Sequence, residues 1–512
     1  MPPTRPLAEV VESIPFNASM TLDKRAQGFA YLRHKWLTAK EKGLYPSADF
    51  NTLTSSLTAG WQIVAIEGVL VFVWDGTVTK VYQKSTTSLT FKYDIANRIV
   101  SVTAGSIKTL ALAQDGSIYS VTTGSATAEA STGVTDLNGK LFYDGLKFFF
   151  IANAKIYSRL ETSVAAPAVV FNDIGSGTVY GVDEYQNYIV LFVSMDLGIK
   201  VYFWDKADLN LYSKRILIKN CTFIAGGVID GTLMLIKGTG NVQNIKEKQG
   251  EIQVTYYNGD YFEELNSIIA GFTQVNSTAY DIGNQIMVVA LTSNVASSSQ
   301  EYETKSELYK DWVLKIQKNG AIETMYYPDS SVKIVSAIHI EYDQISMGIR
   351  DLTSATAPIV LLNNDDGGTY TDYTDFSSDS VYISEFLTRP IEEKNLVYVG
   401  VSFEKLFNLE ELEIWFRSSE RENFRQICTV NTQFLVENIN TQRELAEKEA
   451  ELATDQGFSE YSAVFTMLED GTPLGDFNEI QFKFVSRKGF SLTGAWFGAN
   501  VIDRIATGIN VI

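Results

Sequence analysis

Two histidines, His34 and His339, two cysteines, Cys221 and Cys428, and 61 acidic residues are where acid–base, nucleophilic or metal chemistry would have to begin in this 512-residue chain. His339 sits in the alternating run Ile338-His-Ile-Glu-Tyr, which reads as a half-buried strand. A hydrogen-bonded strand residue is expected there rather than a general base, and no second histidine stands near it to complete a metal pair. The cysteines lie far apart in strand-like runs and fit neither a zinc spacing nor a disulfide framework, so buried free thiols in a reducing compartment are expected. A Gly-x-Ser-x-Gly elbow, a phosphate-cradling glycine loop and a His-Glu-x-x-His helix are all absent from the sequence.

Acidic clusters are the remaining source of chemistry. Residues 363–366 (Asn-Asn-Asp-Asp), followed by Asp372 and Asp375, offer oxygen ligands for calcium, but their spacing does not fit an EF-hand loop. A solvated acidic linker is the plainer reading. The string Asn364-Asp-Asp366-Gly-Gly368-Thr-Tyr370 is an out-of-register likeness of the Ser-x-Asp-x-Gly-x-Thr-Trp boxes of propeller sialidases, and it occurs once. A carboxylate pair for glycoside hydrolysis stays open as a lesser alternative. No catalytic, cofactor-binding or metal-binding residue is assigned; the expectation is a protein without cofactor that is not an enzyme.

The elements that would have to position any site are β-strands. Residues 61–82 read as three short strands punctuated by Glu67-Gly68 and Asp75-Gly76. The same grammar returns around Asp115-Gly116, Asp144-Gly145, Asp230-Gly231 and Asn319-Gly320. Such dipeptides between apolar runs signal hairpins, because the tight turns need a positive φ that glycine adopts cheaply. Units starting near residues 61, 106, 138, 179, 221, 277 and 333 recur every roughly 30–55 residues, the mark of a β-propeller. The expected fold is all-β: a six- or seven-bladed propeller over 56–365, with a tandem β-sandwich as the rival. The repeating Asp residues belong to turns and not to sites.

A polar, acidic linker is expected over 366–376. Beyond it, 377–512 reads as a jelly-roll-like β-sandwich of alternating strands. One helix interrupts it at 441–453, opened by the capping box Thr441 and Glu444, with Leu445 and Leu452 one heptad apart. It is read as a solvated insertion or a contact helix. Residues 1–55 read as an N-terminal arm with a basic, mixed stretch, either a short helix or an extended wrap. Phe29, Tyr31 and Trp36 there, with Leu445 and Leu452, are the candidate subunit contacts.

A net charge of −19 disfavours a protein that clamps DNA phosphates, though it suits a wall past which DNA slides. No run approaches the about 20 apolar residues of a membrane helix, and Met1-Pro-Pro-Thr-Arg-Pro lacks the apolar core of a signal peptide. The order of arm, motif-poor propeller, acidic Gly-Gly-Thr-Tyr bridge and sandwich resembles tail proteins of double-stranded DNA bacteriophages. The likeness is carried most closely by residues 403–416, ending in Phe416-Arg417, and by Phe477-Asn-Glu-Ile-Gln-Phe-Lys-Phe. The nearest functional match is the propeller-bearing hub or nozzle of short-tailed phages. That resemblance implies a virion structural protein assembled in the host cytoplasm: a homo-oligomeric ring, with a hexamer as the working order, below the portal and adaptor. DNA would pass through it without specific binding. A receptor- or glycan-binding tail protein is the alternative, and a propeller hydrolase the lesser one.

Overall fold

The computed structural model describes residues 10–16, 32–34, 36–38, 44–46, 50–171, 174–196, 198–206, 214–240, 250–270, 275–293, 312–326, 333–341, 344–364, 380–388, 394–403, 411–419, 422–431, 461–487 and 492–501. The chain divides into two compact units: 50–368, and 1–49 together with 369–512.

In the first unit, successive hairpins build seven four-strand antiparallel meanders, here called blades 1 to 7. They span 62–95, 99–129, 140–171, 178–219, 222–270, 275–326 and 333–364. The first strand of each blade touches the first strand of the next, and that of blade 7 touches that of blade 1. The strands therefore form a closed ring of seven, which selects the propeller over tandem sandwiches and fixes the blade count. Blade 7 contributes only three consecutive strands. Its fourth is Asn51–Thr52, paired with Leu361 and Leu362, so the beginning of the unit closes its end.

Burial follows from this geometry. Second strands have apolar centres, as in Leu70–Trp74 and Tyr188–Met195, that are covered on both faces. Fourth strands such as Lys214–Lys219 alternate half-buried with exposed residues. The core lies between blades. Ile63, Val71 and Val73 of blade 1 pack with Ala337, Val360 and Leu362 of blade 7 and with Leu53; Phe149 and Ile151 of blade 3 pack with Leu191 and Trp204 of blade 4.

The turns behave as the repeat predicts. Gly76, Gly116, Gly145 and Gly231 have φ of 106°, 85°, 90° and 73°. Asp75 Oδ1 accepts the N–H groups of Thr77 and Val78 at 2.8 Å, and Asp144 Oδ1 accepts those of Leu146 and Lys147 at 3.1 and 2.8 Å. These are side-chain-closed turns. One boundary differs from expectation: blade 2 starts at Ile99, not 106, because Ser106 falls in the turn after its first strand.

Among the described residues, the second unit holds two larger antiparallel sheets and one two-stranded ribbon. One runs Val10–Ser13, Gly494–Val501, Lys394–Phe403, Tyr461–Phe465; the other runs Leu32–His34, Ser380–Ile383, Glu479–Arg487, Glu411–Arg417, Arg425–Asn431. Phe482 and Phe497 meet between them with ring centroids 5.4 Å apart, as in a sandwich core. The described parts of 1–55 are strands and not a helix. Val10–Ser13 and Leu32–His34 add to the two sandwich sheets, Trp36–Thr38 pairs with Leu44–Pro46, and Asn51–Thr52 joins blade 7. The whole of the expected linker 366–376 and of the expected helix 441–453 lie outside the described residues.

Candidate functional site

Side chains of different blades converge on the propeller axis, and the first strands place them there. In six blades this strand carries a bulge, where register shifts between Ile63 and Ala65, Ile99 and Ser101, Val179 and Gly181, Phe223 and Ala225, Ser277 and Ala279, and Val335 and Ala337. The residue after the shift is always small. Crowding explains it: a Cβ on Gly181 would lie 2.4 Å from Tyr280 Oη and 3.1 Å from the Phe192 ring. Two residues further on stands Glu67, Thr103, Asp183, Gly227, Asp281 or His339.

Four of these form a collar at the strand-end mouth of the axis. Asp183 Oδ1 accepts the N–H of Glu184 at 2.7 Å, and its Oδ2 accepts that of Val228 in the next blade at 2.6 Å. Asp281 repeats the arrangement with Ile282 at 2.9 Å and, across the seam, Ile340 at 2.8 Å. Glu67 Oε1 accepts the N–H of Ala104 at 3.1 Å. His339 joins blade 7 to blade 1: its Nε2 accepts the N–H of Gly68 at 2.9 Å. That bond puts the imidazole proton on Nδ1, which lies 3.6 Å from Asp281 Oδ2. Gly227 occupies the equivalent place in blade 5 because a Cβ would lie 2.1 Å from Ile282 Cδ1 and 2.7 Å from Asp183 Oδ2.

Enclosure perturbs the collar's ionisation. Burial pushes Asp183 and Asp281 up to about 6, the charge of Asp183 adding to the second effect and the backbone N–H donors opposing both. Glu67 is pushed up to about 7 by burial, reinforced by the charges of Asp281 and Glu341. Burial pushes His339 down to about 4, and the neighbouring Lys84 ammonium adds to this. Lys84 is itself buried and donates to Ser346 Oγ of blade 7. The collar acceptors receive backbone donors that would otherwise be orphaned where blades meet, so they clasp the seams.

At the strand-start mouth a cavity of about 410 Å³ opens between blades 1, 2, 6 and 7 and the link from blade 2 to blade 3. Arg98 and Arg350 line it. Arg98 Nη2 donates to Gln62 Oε1 at 3.4 Å, whereas Arg350 Nε is shielded from solvent and has no hydrogen-bond partner.

The collar face also carries an apolar patch where blades 2 and 3 meet. Ile107, Leu146 and Val164 are 75%, 62% and 64% exposed, with Leu160 beside them. Buried Glu161 gathers their turns. Its carboxylate accepts the N–H of Ile107 at 2.6 Å and of Lys108 at 3.2 Å, and its own N–H reaches Leu146 O at 3.2 Å.

Of the residues singled out in the sequence, Phe29, Tyr31, Leu445 and Leu452 lie outside the described residues, as do Asp366, Asp372 and Asp375. Trp36 lies on the strand Trp36–Thr38. Asn363 is a buried strand residue of blade 7. His339 is the hydrogen-bonded strand residue expected. Cys428 is a buried free thiol, while Cys221 is only half-buried because it falls in the link between blades 4 and 5. Arg417, in the sandwich, is buried and stacked on Phe386 and Phe424, with Nε donating to Gln481 at 2.7 Å. Among the described residues no group of three or more His, Cys, Asp or Glu is placed to hold a metal ion, and no helix is long and apolar enough to cross a membrane.

No family model matches the sequence, and no curated protein matches it. Among solved structures, the chain is similar to the WD40 β-propeller domain of Doa1, with 13% identity, 62% of this chain and 98% of that one covered, and a TM-score of 0.41. It is also similar to the computationally designed Ika8 protein (13% identity, 69% and 100% covered, TM-score 0.38). A third similar structure is hydrazine synthase from Kuenenia stuttgartiensis (12% identity, 61% and 97% covered, TM-score 0.41). Likenesses this distant say nothing of function, and the assignment of the propeller rests on the ring of strands itself.

Proposed function

We propose that this chain is a structural subunit of a virion: a tail hub or nozzle protein of a short-tailed phage. It forms a ring with copies of itself below the portal and adaptor and lines the path along which DNA leaves. The observation that carries the reading is the patch of Ile107, Leu146, Leu160 and Val164, aliphatic side chains gathered on one face of a chain with net charge −19. Large aliphatic side chains exposed together on one face favour a protein contact. The acidic excess keeps passing phosphate from sticking. The resemblance of the sandwich segments around Phe416-Arg417 and 477–484 to phage tail proteins points the same way.

The test is the mass of the full chain in solution. Mass photometry of the wild type is expected to give a closed oligomer, with six subunits as the working order. The double variant Ile107→Asp, Val164→Asp is expected to shift it to smaller species with an unchanged far-UV spectrum. A wild type that stays monomeric at micromolar concentration contradicts the proposal.

A further inference from the structure

We propose that the cavity at the strand-start mouth of the propeller axis binds a small organic oxyanion, its carboxylate or phosphate held between the guanidinium groups of Arg98 and Arg350. The inference does not depend on the assembly reading.

The chain has a large acidic excess, yet two cations share this cavity and none of its lining residues is acidic. Neither arginine forms an ion pair among the described residues. Burial disfavours the charge of Arg350, and the charge of Arg98 is near enough to disfavour it further. Arg350 Nε has lost water without gaining an acceptor. Packing alone would have been better served by neutral side chains, since a desolvated donor with a like charge beside it is destabilising. An oxyanion between the two guanidinium groups offsets the repulsion. A guanidinium presents N–H groups in a planar fork that matches two oxygens of one carboxylate or phosphate.

The rest of the wall describes the ligand. Gln62, Thr278 and Ser336 of blades 1, 6 and 7, with Asn138 of the link between blades 2 and 3, supply polar contacts, and the remaining lining side chains are aliphatic. The volume of about 410 Å³ falls in the roughly 300–1,000 Å³ range of small-molecule sites. An anionic head on a compact, partly apolar body fits this wall better than a bare ion. An inorganic anion should bind by the same arginines, only more weakly.

The test is isothermal titration calorimetry of the full chain with benzoate and with inorganic phosphate, at constant ionic strength maintained with chloride. The wild type is expected to bind benzoate saturably at one site, and phosphate more weakly at that same site. R98Q and R350Q should each weaken binding tenfold or more. R350K, which keeps the charge but loses the fork, should fall between R350Q and wild type. R215Q, on the outer strand of blade 4, should bind as wild type. Thermal unfolding without anion guards against misfolding: R350Q should melt no lower than wild type, because it relieves the repulsion. No saturable binding by the wild type, or equal binding by R350Q, R98Q and R215Q, overturns the proposal.

Discussion

At the scale of single residues, the collar makes opposing demands on pH. Glu67, Asp183 and Asp281 titrate higher in the fold than in an unfolded chain. Between about pH 4 and 7 the native state therefore holds more of their protons, and their contribution to stability grows as pH falls through 7 and 6. His339 titrates lower in the fold, at about 4. Its contribution is present above the unfolded value of about 6.5 and is lost as pH falls toward 4. The two effects partly cancel, and removing one exposes the other. His339→Gln keeps an acceptor for Gly68 and removes only the histidine's slope. In urea titrations the stability advantage of wild type over this variant should be smaller at pH 5 than at pH 7.5; an equal difference at both would contradict the assignment of His339 as a neutral acceptor. Asp281→Asn turns one of two acceptor oxygens into a donor facing a backbone N–H. A loss of about 1–3 kcal/mol is expected, with faster amide exchange at Ile340 as the local readout.

At the scale of elements, the blade is a meander whose identity is set by turns and whose fit into the ring is set by its first strand. The turns were legible in the sequence because Asp-Gly and Asn-Gly announce a positive φ. The bulged first strand carries a weaker signal: a small residue, then two positions on a polar acceptor, as in Ala65-Ile-Glu67, Gly181-Val-Asp183, Ala279-Tyr-Asp281 and Ala337-Ile-His339. It escapes notice because its meaning lies across a seam, in contacts between residues such as Asp183 and Val228 that no local pattern joins. Arg98 and Arg350 were invisible for the same reason; only ring closure brings them to one cavity. Gly227→Ala should cost about 1–3 kcal/mol, since the new methyl overlaps Ile282 and Asp183, and the shift in urea midpoint reads it. Asn51–Thr52 could not be read as a strand without knowing that blade 7 lacks one. Leu53, which follows it, is 1% exposed, and its N–H donates to Val360 O at 2.9 Å. Leu53→Ala is expected to lower propeller stability by about 2–5 kcal/mol, the price of a cavity where the ring closes.

At the scale of the whole molecule, chemistry was the least legible level, and the structure explains why. The perturbed acids that a search for catalytic groups would select are occupied in joining blades. What is left open lies elsewhere: an arginine-lined cavity at one mouth of the axis and an aliphatic patch on the opposite face of the propeller. The patch is the feature on which the assembly reading stands, because Ile107, Leu146 and Val164 gain most from burial by another copy. Mass photometry of the purified full chain tests this most directly. The account predicts a discrete closed oligomer that the Ile107→Asp, Val164→Asp pair dissociates, and a folded wild-type monomer that persists at micromolar concentration would contradict it.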